Sequence, residues 1–227
     1  MASNWSSPIR GLVVVGSSVA VCGCAYLIYR YWKQRDARSI DEGFEDVSRL
    51  EDNPERRVLV LGLNNSGKST LLNQVTTGST DAKTVKPTEG FRVTSLQNKD
   101  VSLNIWEIGG GPNVRPYWSN FLQDTDLLVF VVDAADDHNL PLAFRELKSL
   151  LGDERLAHVP LLVLANKQDL PNAKNSEEIA DILDLNSIPA SKHKVRVVGT
   201  TAIPSTEIAR HPSILEVQQA LFSMTNV

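Results

Sequence analysis

From Arg56 onward the sequence predicts an α/β fold: a mostly parallel six-stranded sheet with helices on both faces. Three observations carry that expectation. Short apolar runs alternate with segments of helical periodicity. A G-x-x-x-x-G-K-S stretch, Gly62–Ser69, joins the first apolar run to the first helix. An N-K-x-D stretch, Asn166–Asp169, ends a later apolar run about 100 residues further on. Strands that alternate with helices need crossover connections, which favour parallel pairing and cover both sheet faces.

Each element has its own local reason. Val58–Leu61 is a continuous apolar run, as suits a parallel strand buried on both faces. Lys68–Val75 follows as a helix. Phe91–Leu96 and Val101–Trp106 flank Asn98-Lys99-Asp100, a turn-rich tripeptide that predicts a hairpin. Leu127–Val132 and Pro160–Ala165 are further apolar strands, and Lys194–Val198 is a late one. Leu140–Leu151, Ser176–Leu185 and Ser213–Phe222 repeat apolar residues at helical spacing. In such open sheets ligands bind at the carboxyl ends of the strands, so the loops there should carry the chemistry.

The N-terminal quarter reads differently. Gly11–Tyr29 is 19 residues without a charge. As a helix it would reach roughly 28 Å, close to a bilayer core of about 30 Å. Arg30, Lys33, Arg35 and Arg38 follow it, whereas only Arg10 and the terminal amine precede it. Basic residues favour the cytosolic side, which predicts a single transmembrane helix over 11–29, a short lumenal or intermembrane segment 1–10, a charged cytosolic linker 30–55 and a cytosolic domain 56–227. A cleaved signal peptide is the rival, but its apolar region is typically shorter and its basic flank comes first. The outer mitochondrial membrane and the endoplasmic reticulum both suit a short, moderately apolar anchor.

Composition narrows the remaining classes. The formal charge of −4 and pI of about 5.6 give no footprint for a nucleic-acid partner. Cys22 and Cys24 both lie in the apolar run and none follows, so the main domain has no disulfide framework and fits a reducing compartment. The four histidines lack metal-ligand spacing.

Glycines in Gly62–Ser69 let the backbone curl so that successive N–H groups face phosphate oxygens, and the following helix adds its positive dipole end. Lys68 would reach the β- and γ-phosphates and the Ser69 hydroxyl would ligate Mg²⁺. Asn64, Asn65, Ser66, Gly67, Lys68, Ser69 and Thr70 are therefore the candidate phosphate-binding residues. The base is read by Asn166-Lys167-Gln168-Asp169. A carboxylate accepts two hydrogen bonds, and guanine offers a ring N–H beside an exocyclic amine that adenine lacks. Asp169 would select guanine, Lys167 would lie along the base plane, and Asn166 would brace the loop. A backbone N–H from Thr201-Ala202 can meet the guanine oxygen. A nucleotide kinase would also carry the phosphate loop, but Asn166–Asp169 argues against one.

The motifs GLNNSGKST, PTEGF, W-E-I-G-G, VRPYW, VVDAAD and ANKQDL together make the stretch from Arg56 to Val227 resemble an Arf-like small GTPase. The resemblance implies a P-loop small GTPase fold that binds GTP or GDP with Mg²⁺ and recruits effector proteins through switch regions 84–91 and 107–118. Thr88 then ligates Mg²⁺ when GTP is present, Gly110 gives its N–H to the γ-phosphate, and Tyr117 and Trp118 lie in an exposed, switchable segment.

Three departures qualify it. Position 2 is Ala2, which excludes the N-terminal glycine lipidation of some members. Glu107 stands where the family holds an aspartate that binds Mg²⁺ through a water; with its charge kept and one more methylene, it would preserve that water-mediated role or shift the metal and weaken affinity. Gly111 stands where the family holds the glutamine that orients the attacking water, and Pro112 after it has no N–H to offer. No catalytic residue is therefore assigned. The sequence predicts a membrane-anchored switch with slow hydrolysis, or alternatively a nonhydrolysing or weakly nucleotide-binding scaffold.

Overall fold

The computed structural model of the chain describes residues 53–78, 88–202 and 211–225. The expected segment 1–10, the apolar run 11–29, linker residues 30–52 and the front of the first switch, 84–87, lie outside those residues. Among the described residues no helix is long and apolar enough to cross a membrane.

Six strands form one sheet: β1 (Glu55–Leu61), β2 (Phe91–Gln97), β3 (Ser102–Ile108), β4 (Leu127–Asp133), β5 (Leu161–Asn166) and β6 (Val195–Thr200). Their spatial order is β2-β3-β1-β4-β5-β6. Only β2 and β3 pair antiparallel; the other four pairings are parallel. The helices are α1 (Lys68–Thr77), α2 (Leu140–Leu151), α3 (Ser176–Ile182) and α4 (Pro212–Thr225).

The continuous apolar runs are explained by packing on both faces. Leu59 and Leu61 of β1 enter one core, with Phe130 and residues of α2 and α3. Val58 and Val60 enter the other, with residues of α1 and α4. The same alternation divides β4 and β5. Side chains of a strand alternate faces, so a sheet covered on both sides has no position left for a polar side chain except at the strand ends. Those ends are where the polar residues begin, at Asn64, Asp133 and Asn166.

Several boundaries move for physical reasons. β3 runs two residues beyond the expected Trp106, which places Glu107 inside the sheet, paired with Val60. The hairpin before it is set by Asn98, whose Oδ1 accepts from the N–H groups of Asp100 and Val101 at 2.8 Å each. α3 stops at Ile182 instead of Leu185. Asp184 adopts φ 52, and Leu185–Ser187 continues as a short 3₁₀ turn. Leu183 and Leu185 are still buried, so the apolar spacing was sound while the backbone turned beneath it. At its other end α3 carries a full capping box between Asn175 and Glu178.

Arg115–Phe121 forms a 3₁₀ helix with Pro116 in its first turn. Trp118 is 2% exposed, packs edge-on against Phe130 with ring centroids 6.4 Å apart, and donates from Nε1 to the Gly109 carbonyl at 2.9 Å. It is a core residue, contrary to the exposed position expected of it. A large indole with one polar atom is buried well when that atom finds a carbonyl. Its neighbour Tyr117 is 59% exposed.

Candidate nucleotide-binding site

The loop after β1 turns through three left-handed residues, Gly62 (φ 146), Asn65 (φ 63) and Gly67 (φ 89). At Gly62 a side chain would overlap the Val131 carbonyl as well, so both conformation and space demand glycine. The turn brings the chain back over its own start. Lys68 Nζ donates to the carbonyls of Gly62 at 2.8 Å and Leu63 at 2.9 Å. The side chain is buried, and that burial lowers its pKa from 10.5 to about 8, with the nearby Glu107 charge opposing the shift. No side chain caps the start of α1, so its dipole end and first N–H groups remain for an anion. Asn64 and Asn65 are exposed on the outer turn, Ser66 is buried, and Thr70 is half-buried on α1.

Ser69, Thr88 and Glu107 come from three separate segments and meet. Ser69 Oγ and Thr88 Oγ1 are 3.1 Å apart. Ser69 donates to Glu107 Oε1, and Thr88 donates to the same oxygen at 3.3 Å. Glu107 is 1% exposed, and its second oxygen, Oε2, is buried with no hydrogen-bond partner. A buried carboxylate oxygen left without a partner is costly. Three oxygens crowded together, on a buried carboxylate whose other oxygen is unpartnered and two hydroxyls, form a donor set that suits a small hard cation, so the residues present fit Mg²⁺.

Gly109 and Gly110 close the site. The Gly109 N–H donates to the Gly90 carbonyl at 2.8 Å, and the Asn64 N–H donates to the Gly110 carbonyl at 3.1 Å. A side chain at Gly109 would overlap the Thr88 carbonyl, and one at Gly110 would overlap the loop backbone from Gly62 to Asn64. Gly111 differs: a side chain there would meet nothing within 4 Å. The Gly111 carbonyl accepts from the N–H groups of Val114 and Arg115, which starts the following 3₁₀ helix.

At the other end of the groove Asn166 ties three elements together. Its Nδ2 donates to the Ser66 carbonyl at 2.8 Å and its Oδ1 accepts from Thr200 Oγ1 at 2.9 Å. Lys167 is left-handed (φ 68) and pairs with Asp133 at 2.6 Å. That pair fixes the lysine stem at the end of β4. Asp169 is exposed at the rim. The Thr201 N–H is donated to Ser213 Oγ at 3.1 Å, so of the Thr201-Ala202 pair the Ala202 N–H remains the candidate for the base. The Ala202 carbonyl accepts from Gln74 Nε2, which holds this segment against α1.

Asp133 and Thr200 were not singled out from sequence, although each sits at the carboxyl end of a strand, where such residues are sought. An aromatic surface was missed as well. Phe91 stacks on Trp106 at 5.5 Å and meets Phe121 at 5.7 Å, while Arg57 lies over the Trp106 ring at 4.5 Å. Phe91 is 55% exposed and Val93 45%.

The sequence profile of the ADP-ribosylation factor family matches residues 44–216. The chain belongs to this family. It is an Arf-like small GTPase, a nucleotide-binding switch. ADP-ribosylation factor-like protein 3 of Chlamydomonas reinhardtii is 48% identical over 134 residues, covering 59% of this chain and 75% of that protein. Among solved structures, the small GTPase Arl6 (BBS3) of Trypanosoma brucei with bound nucleotide analogue GppNp superposes with a TM-score of 0.62 at 27% identity, covering 76% of this chain and 99% of that one. The phosphate loop, the paired Gly109–Gly110 and the Asn166–Asp169 loop all lie at the carboxyl ends of strands in this Arf-family fold.

Proposed function

We propose that this Arf-family chain is a membrane-anchored guanine-nucleotide switch that hydrolyses GTP slowly on its own. One observation carries the hydrolysis reading. Ser69, Thr88 and Glu107 meet and Gly109–Gly110 pack against the phosphate loop, while Gly111 faces open space with no side chain to hold a water. Phosphoryl transfer in such sites rests on positioning and charge stabilisation, so a missing positioning group slows the step without abolishing binding.

Ser69 and Thr88 would hold Mg²⁺, with Glu107 beside them. The cation would neutralise charge on the β- and γ-phosphates. Lys68 would extend the same neutralisation from the loop side, Asn166 would keep the loop at its height, and Asp169 would accept from guanine. Partners would read the triphosphate state on Thr88–Phe91 and Gly109–Tyr117, joined by the exposed Phe91 and the half-buried Trp106 and Phe121 beside it.

Residues 11–29 would anchor the chain permanently, in the outer mitochondrial membrane or the endoplasmic reticulum, so that nucleotide state governs partner binding and not attachment. Within the family, W-E-I-G-G without the usual glutamine, after an apolar N-terminal run, resembles ADP-ribosylation factor-like protein 10. Retention of the full-length chain in the membrane pellet after carbonate extraction is expected; release into the supernatant would exclude the anchor. Single-turnover assays should show GTP persisting for hours on the purified protein, and conversion within minutes would refute the slow-hydrolysis reading. The second reading, a nonhydrolysing or weakly nucleotide-binding scaffold, rests on the open space at Gly111, where no side chain can hold a water. A scaffold would show no difference in partner binding between GTP- and GDP-loaded samples.

A further inference from the structure

We propose that Glu107 binds the site's divalent cation directly, as a third protein ligand beside Ser69 and Thr88, and not through an intervening water. The proposal rests on the reading that the site holds a metal–nucleotide complex.

The geometry points this way. Mg²⁺ demands six oxygens at about 2.0–2.1 Å in an octahedron, so neighbouring ligand oxygens lie about 2.9 Å apart. Ser69 Oγ and Thr88 Oγ1 are separated by 3.1 Å, and Thr88 Oγ1 and Glu107 Oε1 by 3.3 Å. Ser69 Oγ hydrogen-bonds the same Oε1. The three oxygens therefore already outline one triangular face of an octahedron. Moving Ser69 Oγ and Glu107 Oε1 apart by roughly half an ångström, while Thr88 Oγ1 closes in slightly, would seat a cation between them.

Side-chain length is the cause. The Glu107 backbone is fixed in β3 by pairing with Val60 on one side and Arg92 on the other. From that fixed point an aspartate carboxylate would end about one C–C bond, roughly 1.5 Å, further back, so its oxygen would lie about 3.6 Å from the cation, beyond a direct bond and near the reach of a water bridge. The extra methylene of glutamate spans it. Burial supports the same conclusion: Oε2 has no partner among the described residues, and Glu107 is almost wholly sealed from solvent. A carboxylate held this way gains most by bonding a cation with its own oxygen.

A directly bound carboxylate changes what the cation carries. With three protein oxygens and two phosphate oxygens around it, one position is left for water; with a water-bridged carboxylate, two are left. The test uses Mn²⁺ as the probe, with the full-length chain and a nonhydrolysable GTP analogue. Broadening of the Mn²⁺ electron paramagnetic resonance lines in ¹⁷O-enriched water counts the coordinated waters. One water is expected in the unaltered protein, and two in Glu107→Asp. Two waters in the unaltered protein would overturn the direct ligand while leaving nucleotide binding intact. Failure of the analogue and Mn²⁺ to bind together would overturn this inference and the nucleotide-switch reading alike. The unaltered protein's count decides the matter even if Glu107→Asp fails to fold.

Discussion

Replacing Asn166 by alanine should cost the domain about 2–4 kcal/mol. The residue is 1% exposed and makes two hydrogen bonds, to the Ser66 carbonyl at 2.8 Å and from Thr200 Oγ1 at 2.9 Å. Each contributes about 0.5–1.5 kcal/mol net, and the Ser66 carbonyl stranded in a buried position adds about 1 kcal/mol or more. Two companions separate the contributions. Thr200→Val removes only the second bond and should cost about 1 kcal/mol. Asn166→Asp keeps the bond from Thr200 but sets a carboxylate against the Ser66 carbonyl, so it should be at least as damaging as alanine. Urea unfolding followed by far-ultraviolet circular dichroism measures all three. A loss below about 1 kcal/mol for Asn166→Ala, or equal losses for Asn166→Ala and Thr200→Val, would show that the loop-to-loop bond contributes nothing. Because that bond fixes the floor of the phosphate loop, nucleotide affinity should fall in step with stability.

Three other outcomes follow from the site. Gly111→Gln should raise single-turnover hydrolysis by about tenfold, the effect of one positioned hydrogen bond of about 1.4 kcal/mol, because the added side chain meets nothing; an unchanged rate would mean that more than this group is missing. Gly110→Ala places a methyl against the loop backbone and should weaken triphosphate binding far more than diphosphate binding, and an equal loss for both nucleotides would contradict the steric reasoning. Lys68 has a pKa of about 8 in the empty loop against an ordinary 10.5. Its depressed value means that the unfolded chain holds more protons between those pH values, so the empty domain gains stability as pH rises through that window. Phosphates would restore the charged amine, so binding at pH 9 should take up close to one proton and affinity should fall as pH rises above 8; calorimetry in buffers of different ionisation heat would detect no uptake if Lys68 were already charged.

What could be read from sequence was what stays contiguous in the chain. β4 and β5 sit in the interior of the sheet, so their uniform apolarity is a direct record of burial on both faces. α2 matches its periodicity to the residue. Lys68–Ser69 and Asn166–Asp169 are legible because backbone loops and their side chains are neighbours in sequence. The meeting of Ser69, Thr88 and Glu107 is of another kind. It depends on β3 pairing with β1 so that Glu107 lies opposite Val60, and on Thr88 reaching Ser69 at the start of α1. Trp118 was misplaced for a related reason, because its segment is polar and rich in turn residues while its own indole finds a carbonyl and an aromatic edge inside. The end of α3 escaped prediction because a single left-handed aspartate leaves no trace in apolar spacing.

The bond from Trp118 Nε1 to the Gly109 carbonyl also makes the protein its own reporter. The indole is sealed against Phe130, yet its one polar atom grips the glycine pair that closes over the phosphate loop. Any rearrangement of Gly109–Gly110 must alter that bond, and the environment of a buried indole sets its emission. Trp106, partly buried under Arg57, gives a second and differently shielded chromophore on the adjoining hairpin. A nucleotide-dependent movement of this glycine pair would therefore show in intrinsic fluorescence, in real time and without a labelled nucleotide.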